Sequence, residues 1–161
     1  KGEYVVEFYQ KSRQWLTEEI APRLRALGFS YRVKTYKGRY HRLVVYSKRF
    51  HDLLWQAWKT LPNSSREELI SFVKGVADAE ASVHRKYNRI VVWQKNQDTL
   101  EFVRAILEAN GIKCGKFTRS RDVLGLPVYG RENLNRFYML IGFRHPDKQR
   151  SLMRKVVLTQ P

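Results

Sequence analysis

The sequence has little cysteine and no long apolar run, and each shortage excludes a class of protein. Cys114 is the only cysteine among 161 residues, which rules out an internal disulfide and a cysteine-based zinc site and predicts a reducing, intracellular setting. No apolar run has the length of a membrane span, and no signal peptide, amphipathic basic helix or lipidation signal is recognisable. We therefore expect no membrane partner.

Acidic residues are also scarce. Asp and Glu number 15 against 31 Lys and Arg, which gives a formal net charge of +16. A charge this large repels itself in the folded state, so a polyanionic partner is expected. The cations are spread through the chain rather than gathered in a tail, and 43% of the residues are hydrophobic, enough to fill a core. These features favour a folded protein that binds double-stranded nucleic acid.

The order of strands and helices occurs twice along the chain. Alternating residues predict strands at 4–9, 31–36 and 40–47, and apolar spacing predicts a helix over 12–27. The strand end Tyr9-Gln10-Lys11-Ser12 is echoed by Trp93-Gln94-Lys95-Asn96. In both places a helical pattern follows and ends at a glycine. We interpret the chain as two α+β half-domains, 1–62 and 63–161, related by pseudo-two-fold symmetry.

A helix predicted over 66–82 carries the chemically informative residues. Ser65 and Glu68 form a capping box at its start, and an apolar stripe follows at helical spacing. Gly75 and Ala79 lie four residues apart, a spacing of small residues that allows another helix to approach closely. Glu80 falls near the C-terminal end, where a carboxylate is unfavourable beside the helix dipole. A bound cation or simple exposure to solvent would each relieve this, and the pattern does not separate them.

Three segments in the right order resemble one protein family. They are residues 75–81 (Gly-Val-Ala-Asp-Ala-Glu-Ala), residues 89–96 and residues 143–149. All three are similar to segments of the LAGLIDADG homing endonucleases of the archaeal, intron-encoded type with two fused halves. The resemblance implies two αββαββα half-domains, whose antiparallel sheets form a DNA-binding saddle and whose motif helices meet at the interface.

The resemblance also implies a function and a set of catalytic residues. The implied activity is site-specific hydrolysis of both strands of double-stranded DNA at a long target, with Mg²⁺ or Mn²⁺ as cofactor, while Ca²⁺ would occupy the sites without supporting cleavage. Glu80 matches the acid that binds the metal. Strand-end residues that match supporting catalytic groups are Gln10, Gln94, Lys11 and Lys95. Gly75, Asp78 and Ala79 match residues of the helix interface.

Cations and aromatic residues on the predicted strands and loops are candidates for DNA contacts. Arg32, Lys34 and Tyr36 share one face of a strand by alternation, and Lys113, Phe117 and Arg119 hold corresponding places in the second half. Such faces are often merely solvated, and the net charge tips the interpretation towards DNA. The full predicted set is Arg32, Lys34, Tyr36, Lys37, Arg39, Arg42, Arg85, Lys86, Lys113, Lys116, Phe117, Arg119 and Arg121.

The chain departs from the family pattern in three respects. The first half lacks its own motif helix before residue 3, so the sequence supplies one catalytic acid. We expect either an upstream helix, which would make a monomer, or a homodimer in which a second subunit supplies the partner acid; loss of cleavage is the third explanation. Ala81 stands where the motif ends in glycine, and Val83 stands where part of the family has a basic residue.

Two binding functions compete with the nuclease. The same fold would serve an intron RNA maturase or a DNA-binding regulator without cleavage. The nine Tyr, eight Phe and four Trp fall mostly in apolar patterns, which favours a core role over RNA stacking. Retention of Glu80, Gln10, Gln94 and Lys11 together favours the nuclease, since binding alone does not require them. We expect an intracellular, nucleoid-associated protein.

Overall fold

The computed structural model describes residues 4–36, 38 and 40–157, with the side chains of Tyr36 and Val157 left out. Lys37 and Arg39, both predicted to contact DNA, lie outside the described residues, as does the side chain of Tyr36. The chain forms two compact units, Lys1–Asn63 and Ser64–Pro161. Each is described by itself below.

The first unit is a three-stranded antiparallel sheet with helices before and after its hairpin. In chain order its elements are β1 (Val5–Gln10), α1 (Arg13–Trp15), a π-helical turn (Leu16–Ile20), α2 (Ala21–Ala26), β2 (Arg32–Tyr36), β3 (Tyr40–Tyr46), α3 (Lys48–Thr60) and a 3₁₀ turn (Leu61–Asn63). The strand order is β1-β3-β2. The strands fall within a residue or two of the predicted ones.

The helix predicted over 12–27 is present but is not a uniform α-helix. Ser12 caps it, since its hydroxyl accepts a hydrogen bond from the amide of Trp15 at 3.1 Å. Pro22 lies inside the helical stretch and has no amide hydrogen to donate to the preceding turn. The backbone adopts the π-helical turn just before it. A proline-induced change of helix type is therefore a local feature that apolar spacing does not predict.

One face of the first sheet packs on a hydrophobic core. Phe8 pairs with Leu43 and Val6 with Val45, and all four side chains join the core that includes Leu16 from the π-helical turn. Because side chains alternate along a strand, the intervening residues point to the opposite face. We call this opposite face the outer face of the unit.

The second unit has a four-stranded antiparallel sheet and four helices. Its elements are α4 (Arg66–Glu80), β4 (Ala81–Val83), β5 (Arg89–Gln94), α5 (Gln97–Ala109), β6 (Thr118–Ser120), β7 (Val123–Tyr129), α6 (Arg131–Leu140) and α7 (Pro146–Val157). The strand order is β4-β5-β7-β6. The part β5-β7-β6 repeats the order β1-β3-β2 of the first unit, and β4 with α4 precedes it.

The predicted repeat extends to hydrogen bonds at the strand ends. In the first unit the side-chain oxygen of Gln10 accepts a bond from the amide of Lys11 at 3.2 Å. In the second unit Gln94 accepts from the amide of Lys95 at 2.7 Å. Each lysine is followed by a residue that caps the next helix. The α+β class with two antiparallel sheets is confirmed.

The core of the second unit lies between its helices and one face of its sheet. Ile90 and Val92 of β5, Leu126 of β7 and Phe137 of α6 are fully buried there. Helix α4 contributes Val73 and Ala77 to the same core. None of the described helices is both long and apolar enough to cross a bilayer.

Candidate functional site

Helix α4 holds Glu80 at its exposed C-terminal end. The helix starts at a complete capping box, in which Ser65 and Glu68 exchange side-chain and backbone hydrogen bonds. It ends at Glu80, after which Ala81 is extended, is buried in the core and pairs with Val92 of β5. The buried alanine fixes the point where helix becomes strand. Glu80 is exposed, so its carboxylate is accessible to a cation.

Asp78 is buried and bonded within its own unit. We expected it at a helix interface together with Gly75 and Ala79. Its side chain is only 2% exposed, and one carboxylate oxygen accepts hydrogen bonds from the backbone amides of Arg144 and His145, at 2.8 and 3.0 Å. Asp78 therefore ties the end of α4 to the segment that leads into α7, within its own unit.

Lys148, in the first turn of α7, bonds back to the end of α4. Its ammonium donates to the carbonyl oxygen of Asp78 at 2.6 Å and to that of Ala77 at 3.2 Å, and lies 3.5 Å from that of Ala79. Burial lowers the pKa of Lys148, and the carboxylates of Asp78 and Glu80 partly oppose that shift. The pKa of His145 is likewise lowered, first by burial and then by the charge of Lys148.

The small residues of α4 lie on its exposed side. Gly75 and Ala79 are both exposed, and a methyl group built on Gly75 would meet no described atom within 4 Å. A glycine in a helix interior costs about 1 kcal/mol relative to alanine. No described neighbour accounts for that cost, and close packing of another helix on this side stays a prediction.

Gln94 lies beside the last turn of α4. Ala81 pairs with Val92, so Gln94, two residues further along β5, continues past the start of β4 towards the end of the helix. It has the same strand parity as Ile90 and Val92, which puts it on the core side of the sheet, where α4 packs. The fold thus brings Gln94 and Glu80 to the same end of the unit. Lys95 is exposed and ion-paired with Asp122.

Gln10 and Lys11 hold the equivalent places in the first unit. Gln10 ends β1 and pairs with His41 of β3. Lys11 is exposed, and its ammonium lies 5.9 Å from the centre of the Tyr40 ring, within range of a cation–π contact.

The donor set around Glu80 suits a hard divalent cation that is shared with other oxygen ligands. Carboxylate and amide oxygens are the protein ligands that Mg²⁺ accepts, and it usually retains water and binds phosphate oxygens beside one or two carboxylates. Within the described ranges no three His, Cys, Asp or Glu side chains are grouped as a metal site. One exposed carboxylate, at the end of the unit where β5 ends at Gln94, therefore fits a metal whose other ligands are water and phosphate oxygens.

The outer face of the first sheet carries clustered cations. Lys34 of β2 lies directly opposite Arg42 of β3, and Arg32 lies two residues along the same strand face. Arg42 donates to Glu7 at 2.8 Å, and the Tyr9 hydroxyl bonds the other oxygen of Glu7 at 2.6 Å. The contact with Tyr9, with help from the charge of Glu7, raises the pKa of Arg42.

The second unit places Arg119 at the edge of its sheet. We expected Lys113, Phe117 and Arg119 to share a DNA-facing strand, but β6 begins only at Thr118. Arg119 pairs with Leu124, whose side chain packs on the core, and Phe117 packs there too, with the Arg104 guanidinium 4.1 Å from its ring centre. Alternation puts Arg119 on the same sheet face as Leu124, but at the edge strand, where its side chain is exposed. Its role in DNA contact stays a prediction. Lys113 precedes the strand.

The remaining predicted cations lie in exposed loops. Arg85 and Lys86 belong to the connection between β4 and β5, where the ring nitrogen Nδ1 of His84 accepts the amide of Lys86 at 3.1 Å. Lys116 lies in the segment before β6, and Arg121, with a φ of 54°, forms the β6–β7 turn. All four cations are outside the core. Their roles in DNA contact stay predictions.

Sequence reasoning missed several polar and aromatic residues. Glu7 and Tyr9 of β1 lie on the outer face of the first sheet beside Arg42 of β3. Alternation within β1 puts them on one face, but the pairing of β1 with β3 was not predicted. The expectation that aromatic residues are mostly core holds for 11 of the 21 Tyr, Phe and Trp residues, which lie in or pack against the two described cores. The aromatic residues at least 42% exposed are Tyr4, Tyr9, Tyr40, Tyr46, Trp55, Trp58, Tyr87 and Tyr129. These exposed rings are available for stacking on bases, which keeps RNA as a competing partner.

Comparison with known proteins decides the family. A family model described as a LAGLIDADG-like domain matches residues 67–142, which contain most of α4 and Glu80. The chain is 34% identical to the homing endonuclease I-ApeI of Aeropyrum pernix, over 92% of this chain and 76% of that relative. The chain belongs to the LAGLIDADG homing endonuclease family.

Solved structures of this family have the same fold. The structure of I-DmoI in complex with DNA and Mn matches with a TM-score of 0.74 and 26% identity, over 88% of this chain and 82% of that one. The structure of I-DmoI with DNA and Ca matches with a TM-score of 0.78 and 22% identity, over 96% and 85%. The 22% identity to the Ca-bound structure supports a shared fold only.

Proposed function

We propose that this chain is a site-specific endonuclease that hydrolyses double-stranded DNA with a divalent metal, and that Glu80 is its metal-binding acid. The observation that carries the proposal is the exposed carboxylate of Glu80 at the tip of α4, inside the segment that matches the LAGLIDADG-like domain. The identity to a curated homing endonuclease supports it. The two compact units serve as the two half-domains.

The proposed chemistry assigns a task to each residue. A bound Mg²⁺ or Mn²⁺ supplies Lewis-acid stabilisation of the phosphodiester oxygens and an activated water. Glu80 supplies an anionic oxygen ligand from a fixed helix end. Gln94, beside it, orients water through its amide. Lys95 supplies positive charge near phosphate, and Gln10 and Lys11 have the corresponding tasks in the first unit.

DNA binding rests on the outer face of the first sheet. Arg32, Lys34 and Arg42 place three cations on adjacent strands, and a β-ribbon of this kind fits the major groove of B-DNA. Glu7 holds Arg42 in one position, which reduces the side-chain entropy lost when Arg42 binds a base or phosphate. The exposed loop cations of the second unit add phosphate contacts. Such a protein acts where chromosomal DNA lies, at the nucleoid.

Sequencing of DNA ends tests the proposed activity. The substrate is a plasmid in which the sequences that flank the encoding intron or intein are joined, mixed with genomic fragments as competitor. We expect Mg²⁺-dependent breaks in both strands at one long site, and none when EDTA replaces Mg²⁺. Breaks scattered over many unrelated sequences, or intact plasmid under conditions where the protein binds it, would contradict the proposal.

Arg32→Ala should weaken DNA binding, and Arg119→Ala is its matched control. Both are strand arginines, but Arg32 lies on the outer face among cations and Arg119 on the core side of a sheet edge. We expect Arg32→Ala to cost about tenfold in affinity and to reduce the slope of log K against log salt by about one if it contacts phosphate. The measurement is fluorescence anisotropy in Ca²⁺ between about 50 and 200 mM salt. An equal loss for Arg119→Ala would contradict the assigned face.

RNA binding by an intron maturase is the competing function, and the exposed tyrosines of the first unit support it. Tyr9, Tyr40 and Tyr46 are 51%, 42% and 52% exposed on the first unit, and exposed aromatic rings can stack on unpaired bases. Competition of the target duplex with intron RNA in the anisotropy experiment separates the two. Preference for RNA by an order of magnitude would favour the maturase.

A further inference from the structure

The end of α4 and the start of α7 hold each other through reciprocal bonds. The carboxylate of Asp78, in the last turn of α4, accepts the amides of Arg144 and His145, just before α7. In return Lys148, in the first turn of α7, donates to carbonyl oxygens of the last turn of α4. These bonds meet α4 only two or three residues before Glu80.

The bonds of Lys148 add to the local cap of α4, in which the amide of Ala81 donates to the carbonyl of Ala77. The last four carbonyl groups of an α-helix have no partner within the helix, and a cation there also interacts favourably with the helix dipole. The last turn of α4 has no basic residue of its own. Lys148 provides the donor from 70 residues further along the chain.

Lys148 is also well placed electrostatically. Its ammonium is enclosed enough that burial lowers its pKa, and the carboxylates of Asp78 and Glu80 act on it in the opposite direction.

The Gln149 side chain, next along α7, accepts a hydrogen bond from the amide of Phe143 at 2.8 Å. This bond fixes the loop that presents the amides to Asp78, so the contact has anchors on both sides of the α7 start.

We propose that Lys148 is a positioning residue for Glu80, which it fixes by capping the last turn of α4 from α7. The inference rests on the proposed nuclease function. Without the ammonium, the carbonyl of Asp78 loses this donor, while that of Ala77 keeps the amide of Ala81. The last turn can then fray, and the Glu80 carboxylate samples several positions. A displacement of about 1 Å in a reacting group can cost on the order of a hundredfold in rate.

Two other roles for Lys148 predict different results. A purely structural role would lower the stability and DNA affinity of the protein together with its rate. If Lys148 acted only through its charge, its removal would strengthen Mg²⁺ binding, because a cation near Glu80 repels the metal. The rate at saturating Mg²⁺ would then not fall. A positioning role instead leaves a low rate at saturating Mg²⁺ in a folded protein that still binds DNA.

The test compares Lys148→Met, Lys148→Arg and Arg150→Met in the full chain. Arg150→Met is the matched control, since it removes an exposed cation from the same helix. Single-turnover cleavage of the target duplex is measured over a Mg²⁺ titration, with target affinity in Ca²⁺ and the unfolding temperature measured alongside. For Lys148→Met we expect a rate at saturating Mg²⁺ reduced between about tenfold and a hundredfold, with affinity within about twofold of the unsubstituted protein.

Lys148→Arg keeps donors for the carbonyl oxygens and should recover at least part of the lost rate. Equal rates for the unsubstituted and Lys148→Met proteins would overturn the inference alone. So would an equal loss in Arg150→Met, or a Lys148→Met protein that loses folding or DNA affinity in proportion to its rate. No cleavage by the unsubstituted protein would instead overturn the proposed function, and this inference with it.

Discussion

Glu80→Gln is expected to abolish strand cleavage while leaving DNA binding close to unchanged. The substitution keeps the size of the side chain and removes the negative charge that a hard divalent cation prefers in its ligand. Metal stabilisation of a phosphodiester transition state is worth several kcal/mol, so we expect a rate loss of roughly a thousandfold or more. Because Glu80 is exposed at the end of α4, the fold should tolerate the change. Single-turnover cleavage of the target duplex in Mg²⁺ measures the rate.

The matched control is Glu67→Gln, the same substitution in the first turn of the same helix. Glu67 is also exposed and lies at the opposite end of α4, so its loss should leave cleavage within about twofold, as surface substitutions usually do. Affinity for the target in Ca²⁺ shows whether each variant still binds. A Glu80→Gln protein that cleaves at the normal rate in Mg²⁺ would remove Glu80 from the site.

Local sequence rules accounted for the elements that carry the site. The capping box of Ser65 and Glu68 set the start of α4, because both of its bonds join residues three apart. The repeated Gln-Lys step predicted two equivalent strand ends, and Gln10 and Gln94 make the same bond to the following amide. Such features depend only on neighbouring residues, which is why a single sequence predicts them.

Contacts between distant segments could not be predicted in this way. Asp78 and its amide partners are 66 and 67 residues apart, and nothing in the local pattern pairs them. The position of Arg119 depended on where β6 begins and which strand it pairs with, and local alternation gives neither its start at Thr118 nor its pairing with β7. Exposure of the tyrosines likewise depends on which sheet face the helices cover, and periodicity does not distinguish the two faces.

Asp78→Ala should destabilise the protein by about 3 kcal/mol. Its carboxylate is nearly inaccessible and accepts two backbone amides. A hydrogen bond to a charged group contributes about 1.5–3 kcal/mol, and a buried donor left without an acceptor adds a desolvation cost. The substitution also removes the desolvation cost of the buried carboxylate, which offsets part of this loss. The expected destabilisation is therefore smaller than the sum of the two bonds. The free energy of unfolding in urea measures the effect.

Asp78→Asn and Asp147→Asn separate the charge of Asp78 from its hydrogen bonds. The amide introduced by Asp78→Asn would retain an oxygen for both backbone donors but lose the charge and bring an NH₂ group into a buried position, so a loss of about 1 kcal/mol is expected. Asp147 is an exposed acid of α7 paired with Arg150, and Asp147→Asn should change stability by no more than about 0.5 kcal/mol.

The charge of Asp78 also acts on Lys148, since it opposes the lowering of the Lys148 pKa. Asp78→Asn removes one of the two carboxylates that stabilise the charged form of Lys148. The effects of Asp78→Asn and Lys148→Met on the free energy of unfolding should therefore not be independent. Residues in one hydrogen-bonded network typically couple by about 0.5–3 kcal/mol. We expect the double variant to be less destabilised than the two single losses added together. Strict additivity in urea would mean that the two ends of the α4–α7 contact fold independently, contrary to the reciprocal bonding.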